Sequence, residues 1–160
     1  MLPRTRPAEE AGRFKLLHEF FEAQADARPQ AIALIIEGRR ITYSELEQQA
    51  NRLARYLHKQ RVGPGSIVAI LLPRSLNAYT AILGTIKAGA AYLPLDPEYP
   101  ADRISYILRD SRVETLLTTA SLASHHPGFH GSVIAVDADA GSIRSETHTV
   151  PDGRDRAGTG

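Results

Sequence analysis

Thr85-Ile-Lys-Ala-Gly-Ala-Ala-Tyr-Leu-Pro-Leu-Asp-Pro-Glu-Tyr-Pro-Ala-Asp-Arg-Ile104 reads as a helix end, a buried strand, a proline-punctuated loop and a new helix start, with almost no spare residues. Gly89 supplies the stop, because glycine adopts the left-handed conformation that closes a helix. Lys87, just before it, is placed to complement the negative end of the helix dipole. Residues 91–95 have strand length, and Pro94 sets the strand near its end, since proline donates no ladder hydrogen bond. Asp96-Pro97 then opens a loop, and Pro100 suits a first helical turn, where its missing N–H costs nothing.

Working outward, residues 67–72 (Ile-Val-Ala-Ile-Leu-Leu) form an unbroken apolar run. A strand covered by helices on both faces has this composition. Tyr79, Ile82, Leu83 and Ile86 predict an amphipathic helix after it. Ile104, Ile107 and Leu108 predict another, and residues 115–119 a further strand. Strand, helix, strand, helix, strand with short connections predicts right-handed crossovers in a parallel, helix-covered sheet. The fold class is therefore α/β.

Upstream, Leu46, Ala50, Leu53, Ala54 and Leu57 make one apolar stripe at helical spacing. Its start carries a capping box, Thr42 with Glu45, in which a hydroxyl accepts from a free backbone N–H and the acid reaches back; Ser44 with Glu47 offers a second register. Thr42 is preferred because it ends a short strand over Ile41-Thr42. Residues 31–36 pair with that strand through a turn over residues 37–40. An earlier helix is predicted from Leu17, Phe20, Phe21 and Ala25. Three segments follow for the whole chain: an unstructured stretch over 1–13, a folded body over 14–136 ending in a short strand at 133–136, and an unstructured tail over 137–160. Beyond Asp137 only Ile143 and Val150 are sizeable aliphatics.

Composition narrows the function. The net charge is +1 from 19 basic and 18 acidic residues, with no basic stripe to bind nucleic acid. There is no cysteine, which removes thiolate metal sites, disulfides and cysteine nucleophiles. The apolar runs fall far short of the about 20 residues that span a bilayer, and the first residues lack the apolar core of a secretory signal. Cytoplasmic residence is the default expectation. No Walker sequence, no Gly-x-Gly-x-x-Gly fingerprint and no Gly-x-Ser-x-Gly elbow occurs.

Two motifs carry a family resemblance. Ile41-Thr42-Tyr43-Ser44-Glu45-Leu46, continuing into residues 50–54, resembles the first core motif of nonribosomal peptide synthetase adenylation domains. Lys87-Ala88-Gly89, Tyr92, Pro94, Asp96, Pro97, Tyr99 and Pro100 resemble the second, and residues 17–25 look like the usual opening helix. The resemblance covers about residues 16–120 in order and spacing. It implies the opening portion of the large N-terminal subdomain of an adenylate-forming enzyme, with later strands completing the sheet. Such enzymes join an amino acid to ATP with magnesium, release pyrophosphate, and pass the aminoacyl group to the phosphopantetheine of a peptidyl carrier protein. The implied partners are thus the remainder of the adenylation domain and that carrier.

The family's phosphate-gripping loop, amino-acid pocket and late catalytic lysine have no counterpart here. No catalytic, cofactor-binding or metal residue is therefore expected in this chain, and the motif residues above are expected to be structural. Asp96 is expected to accept backbone N–H bonds and fix its loop. His125, His126 and His130 form the single histidine cluster and are expected on a surface loop. Two other readings stay open: a non-catalytic module that pairs with a separate remainder, and an aryl- or acyl-acid-activating ligase.

Overall fold

The computed structural model describes residues 16–126 and 128–149. The parts of the expected terminal segments at 1–15 and 150–160 lie outside these. An N-terminal helix α1 (Leu17–Ala27) precedes a hairpin of β1 (Ile32–Ile36) and β2 (Arg39–Thr42), and α2 (Tyr43–Lys59) follows without a loop. Then come β3 (Ile67–Leu71), α3 (Leu76–Lys87), β4 (Ala91–Leu95), α4 (Ala101–Asp110), β5 (Thr115–Thr118), α5 (Ala120–Ala123), β6 (Ser132–Ala135) and α6 (Ala140–Ser145). The hairpin turns on Glu37 (φ 50°) and Gly38 (φ 73°), both left-handed, as a two-residue turn matched to strand twist requires.

The main sheet has four strands in the order β4-β3-β5-β6, all parallel. Its centre is β3, buried on both faces as the apolar run predicts. Val68, Ile70 and Leu72 join Leu53, Ala54, Leu57 and Ala81 in one core, under α2 and α3. Ala69 and Leu71 join Leu95, Ile104, Leu108 and Leu116 in a second core, under α4. The alternation follows from the two-residue period of a strand. After β3 the chain steps to β4 on one side, then back past β3 to β5 and β6. α3 and α4 consequently lie on opposite faces.

The stripe of α2 is buried at every predicted position, Leu46, Ala50, Leu53, Ala54 and Leu57. The stripe of α3 is corrected. Its buried face is Thr80, Ala81, Gly84, Thr85 and Lys87, while Tyr79, Ile82, Leu83 and Ile86 are half-buried flanks. Small residues win because α3 lies close against α2: a Cβ placed on Gly84 would sit 3.0 Å from Leu53 Cδ2. In α1, Ala25 is buried, whereas Leu17 and Phe20 are 68% and 57% exposed.

The unstructured tail expected from Asp137 is corrected over residues 137–149. Helix α6 packs Ile143 against the first core. The segment after it is tied to α2: Asn51 Nδ2 donates to His148 O at 2.8 Å, and Arg55 Nε to Thr149 O at 2.9 Å. Lys59 Nζ meets Glu146 Oε1 at 2.6 Å. One aliphatic and several backbone acceptors suffice to dock the segment, a pattern that apolar periodicity does not register.

Candidate functional site

In an open parallel sheet, ligands gather outside the carboxyl ends of the strands, where the strand order changes direction. Here that rim comprises residues 72–75 after β3, residues 96–100 after β4, Thr119 after β5 and residues 136–139 after β6. Its polar groups satisfy one another. Ser75 Oγ accepts from Ala78 N–H at 3.3 Å, and Thr119 Oγ1 from Leu122 N–H at 3.2 Å, so α3 and α5 carry side-chain N-caps, whereas Pro100 before α4 and Asp139 before α6 make none. Asp137 accepts from the N–H groups of Ala120 and Ala138, each at 2.9 Å. The Ala120 bond is the main cause that holds the Asp137 carboxyl below the usual carboxylate range.

Asp96 stands at this rim, exposed, and its Oδ1 accepts from Glu98 N–H at 2.9 Å. With Tyr99 N–H bonding to Asp96 O, this builds a compact turn. Arg103 then lies over the Tyr99 ring, 4.4 Å from its centroid. Pro100 is the N-cap of α4, one position before the first helical turn. Tyr92 and Pro94 are exposed on β4, an outer strand among the described residues, where proline's missing donor is tolerated.

Thr42 and Glu45 form the capping box in the preferred register. Thr42 N–H donates to Glu45 Oε2 at 2.8 Å, and Glu45 N–H donates to Thr42 Oγ1 at 3.2 Å. The Thr42 backbone bond lowers the Glu45 carboxyl below its ordinary value. Tyr43 packs on the Phe21 ring with centroids 5.4 Å apart, and Leu46 enters the buried interior.

Lys87 departs most from its sequence reading. It does not simply face solvent beside the α3 dipole. Its side chain is 1% exposed, and Nζ bridges Glu22 of α1 and Glu47 of α2. A lysine so enclosed holds helices together and presents no charge to a phosphate. Behind it, Gly89 (φ 79°) closes α3: Gly89 N–H bonds to Ile86 O, and Ala90 N–H to Thr85 O. Ala88 is buried, and its carbonyl lies 3.0 Å from His58 Nε2.

The histidine cluster is corrected in part. His126 is buried at 8% exposure, not on the surface, and desolvation pushes its pKa below the ordinary value. Sequence reasoning missed this because the His126 ring lies by a cleft that it shares with Leu108 of α4, an element distant in sequence. Among the described residues no group of three or more His, Cys, Asp or Glu could hold a metal ion, and no helix is long and apolar enough to cross a membrane.

The family model described as "AMP-binding enzyme" matches residues 21–157. The chain belongs to the AMP-binding enzyme family. A dimodular nonribosomal peptide synthase of Bacillus subtilis is 44% identical over 137 residues, covering 86% of this chain and 6% of that protein. The chain thus spans a small part of the length of the curated relatives it matches. The nonribosomal peptide synthetase FmoA3, solved in its α-methyl-L-serine-AMP bound form, superposes with a TM-score of 0.78 at 31% identity, over 86% of this chain and 15% of FmoA3. The N-terminal subdomain of Klebsiella oxytoca NpsA, solved with 3-hydroxybenzoyl-AMSN, gives a TM-score of 0.78 at 27% identity, over 93% of this chain and 36% of the other. The resemblance to nonribosomal peptide synthetase adenylation domains and the α/β architecture of their N-terminal subdomain are thus borne out.

The family works on ATP, and the described residues do not fit that group. The N-termini of α3 and α5 at the rim are capped by their own side chains, Lys87 is sequestered, and among the described residues no acidic cluster converges there.

Proposed function

We propose that this chain is the scaffold-bearing first part of an amino-acid-adenylating ligase of nonribosomal peptide synthesis, and that alone it catalyses no adenylation. The parent reaction is ATP plus amino acid to aminoacyl-AMP and pyrophosphate, followed by thioester transfer to a carrier protein. One observation carries the proposal: both core motifs are spent on structure. The first caps α2; the second turns α3 into β4 and β4 into α4, with Lys87 bridging three helices. Adenylation needs reactants held in line while negative charge is neutralised, and Lys87 of the second motif is already held by two carboxylates. Asp96 is assigned the role of fixing the loop after β4 against the parent's phosphate-binding loop.

The amino-acid reading rests on the second motif and on 44% identity to a dimodular nonribosomal peptide synthase. An aryl-acid reading has support from the 3-hydroxybenzoyl-AMSN complex of NpsA, at the lower identity of 27%. Amino-acid-dependent exchange of labelled pyrophosphate into ATP tests the proposal. The 160-residue chain is expected to show background exchange only, and exchange above background would overturn the claim of inactivity. In the parent protein, amino acids are expected to support exchange and hydroxybenzoates are not; the opposite preference would transfer the assignment to the aryl-acid class.

A further inference from the structure

A cleft of about 280 Å³ lies between α2, the first half of α3 and α6, and meets the strand rim at Val136. Its apolar lining is Leu53, Val136 and Ile143. Arg52 of α2 and Arg144 of α6 line it as well, with Asn77 in the first turn of α3, and no carboxylate does. Two polar atoms on its lining residues are buried without a hydrogen-bond partner, Thr80 Oγ1 and Arg52 Nε. Thr80 is only 8% exposed. Both atoms are closed to solvent; what the cleft itself offers a ligand is two arginine residues and an apolar wall.

We propose that this cleft binds a small monocarboxylate with a compact apolar body. The carboxylate oxygens accept from the Arg52 and Arg144 guanidiniums, while the body covers the apolar lining. Guanidinium suits a planar carboxylate, which it can meet through two parallel bonds. Bare phosphate fits less well, because it would leave the apolar lining uncovered and surrender hydration on every side. The site stands independently of the ligase reading and holds or fails whatever reaction the parent catalyses.

The test is an NMR titration of the 160-residue chain with benzoate at constant ionic strength, with acetate and inorganic phosphate as parallel arms. The expected result is saturable shifts confined to the methyls of Leu53, Val136 and Ile143 and the amide of Asn77, with acetate and phosphate about tenfold weaker or worse. Arg52→Gln and Arg144→Gln should each weaken benzoate about tenfold, the loss of a charge-assisted hydrogen bond. Arg144 is exposed, so its variant keeps the fold, verified by an otherwise unchanged spectrum, even if Arg52→Gln does not. Non-saturating shifts scattered over the surface, equal affinity in Arg144→Gln, or phosphate binding as tightly as benzoate would each overturn the proposal.

Discussion

Lys87 Nζ, at the end of α3, lies 2.8 Å from Glu47 Oε1 of α2 and also meets Glu22 of α1, with the lysine side chain 1% exposed. These partners stand 40 and 65 residues away in sequence. The ammonium joins three helices on one side of the sheet. Removing one member of a buried pair leaves uncompensated charge, at a cost of about 3–5 kcal/mol. The two carboxylates are 16% and 22% exposed and can partly rehydrate, which favours the lower end. Lys87→Met should therefore destabilise the chain by about 3 kcal/mol, read as a lower urea midpoint at unchanged slope. A Lys87→Met midpoint equal to the parent's would show that the bridge contributes no net stability.

Gly84 faces Leu53 where α3 meets α2. Alanine normally gains about 1 kcal/mol over glycine inside a helix. Here the new Cβ would lie 3.0 Å from Leu53 Cδ2 and 3.1 Å from both Leu53 Cβ and Cγ. Cβ cannot swing away, so the helices must separate, and overpacking costs about 1–3 kcal/mol. Gly84→Ala should destabilise by about 1 kcal/mol net, and Gly84→Ala combined with Leu53→Ala should be less than additive. Stabilisation by Gly84→Ala alone would mean that the contact is slack.

Arg61 ends α2 in the left-handed region, φ 65°, where glycine is the usual residue. Arg61 N–H bonds to His58 O and Val62 N–H to Leu57 O, the same closing pattern that Gly89 makes after α3. A side chain in this conformation costs about 1–2 kcal/mol, part of which glycine returns through a freer unfolded chain. Arg61→Gly is expected to stabilise by about 0.5–1 kcal/mol, seen as a higher melting temperature. Arg61→Ala separates backbone strain from charge, because alanine keeps the strain and should bring no gain.

The central sheet, the α2 stripe and its capping box could be read in advance because each is local. A strand buried on both faces shows as an unbroken apolar run, and Thr42 and Glu45 meet across one helical turn. Lys87, His126 and α6 could not be read so. The lysine's partners come from two other helices, and the imidazole shares its cleft with Leu108 of α4. Residues 137–149 dock through Asn51 and Arg55 donating to backbone carbonyls, an interaction that leaves no apolar pattern. The buried face of α3 was obscured because its small residues are less conspicuous than the aliphatics flanking them.

His126 gives the chain a pH dependence of definite sign. Desolvation, and secondarily the charge of neighbouring His125, lowers its folded pKa below 6.5. Its Nδ1 is buried without a partner, and the cation facing the same cleft is Arg109 of α4, so nothing there welcomes a second proton. The unfolded chain then binds a proton more readily than the folded one. Stability from this group is full above pH 6.5 and falls as pH drops below it, levelling once the folded form is itself protonated. The urea midpoint should therefore drop between about pH 7.5 and about pH 5.5, on either side of the free imidazole value. His126→Gln removes the titration, so its drop over the same interval should be smaller. Equal drops in the two proteins would place the acid sensitivity on other groups.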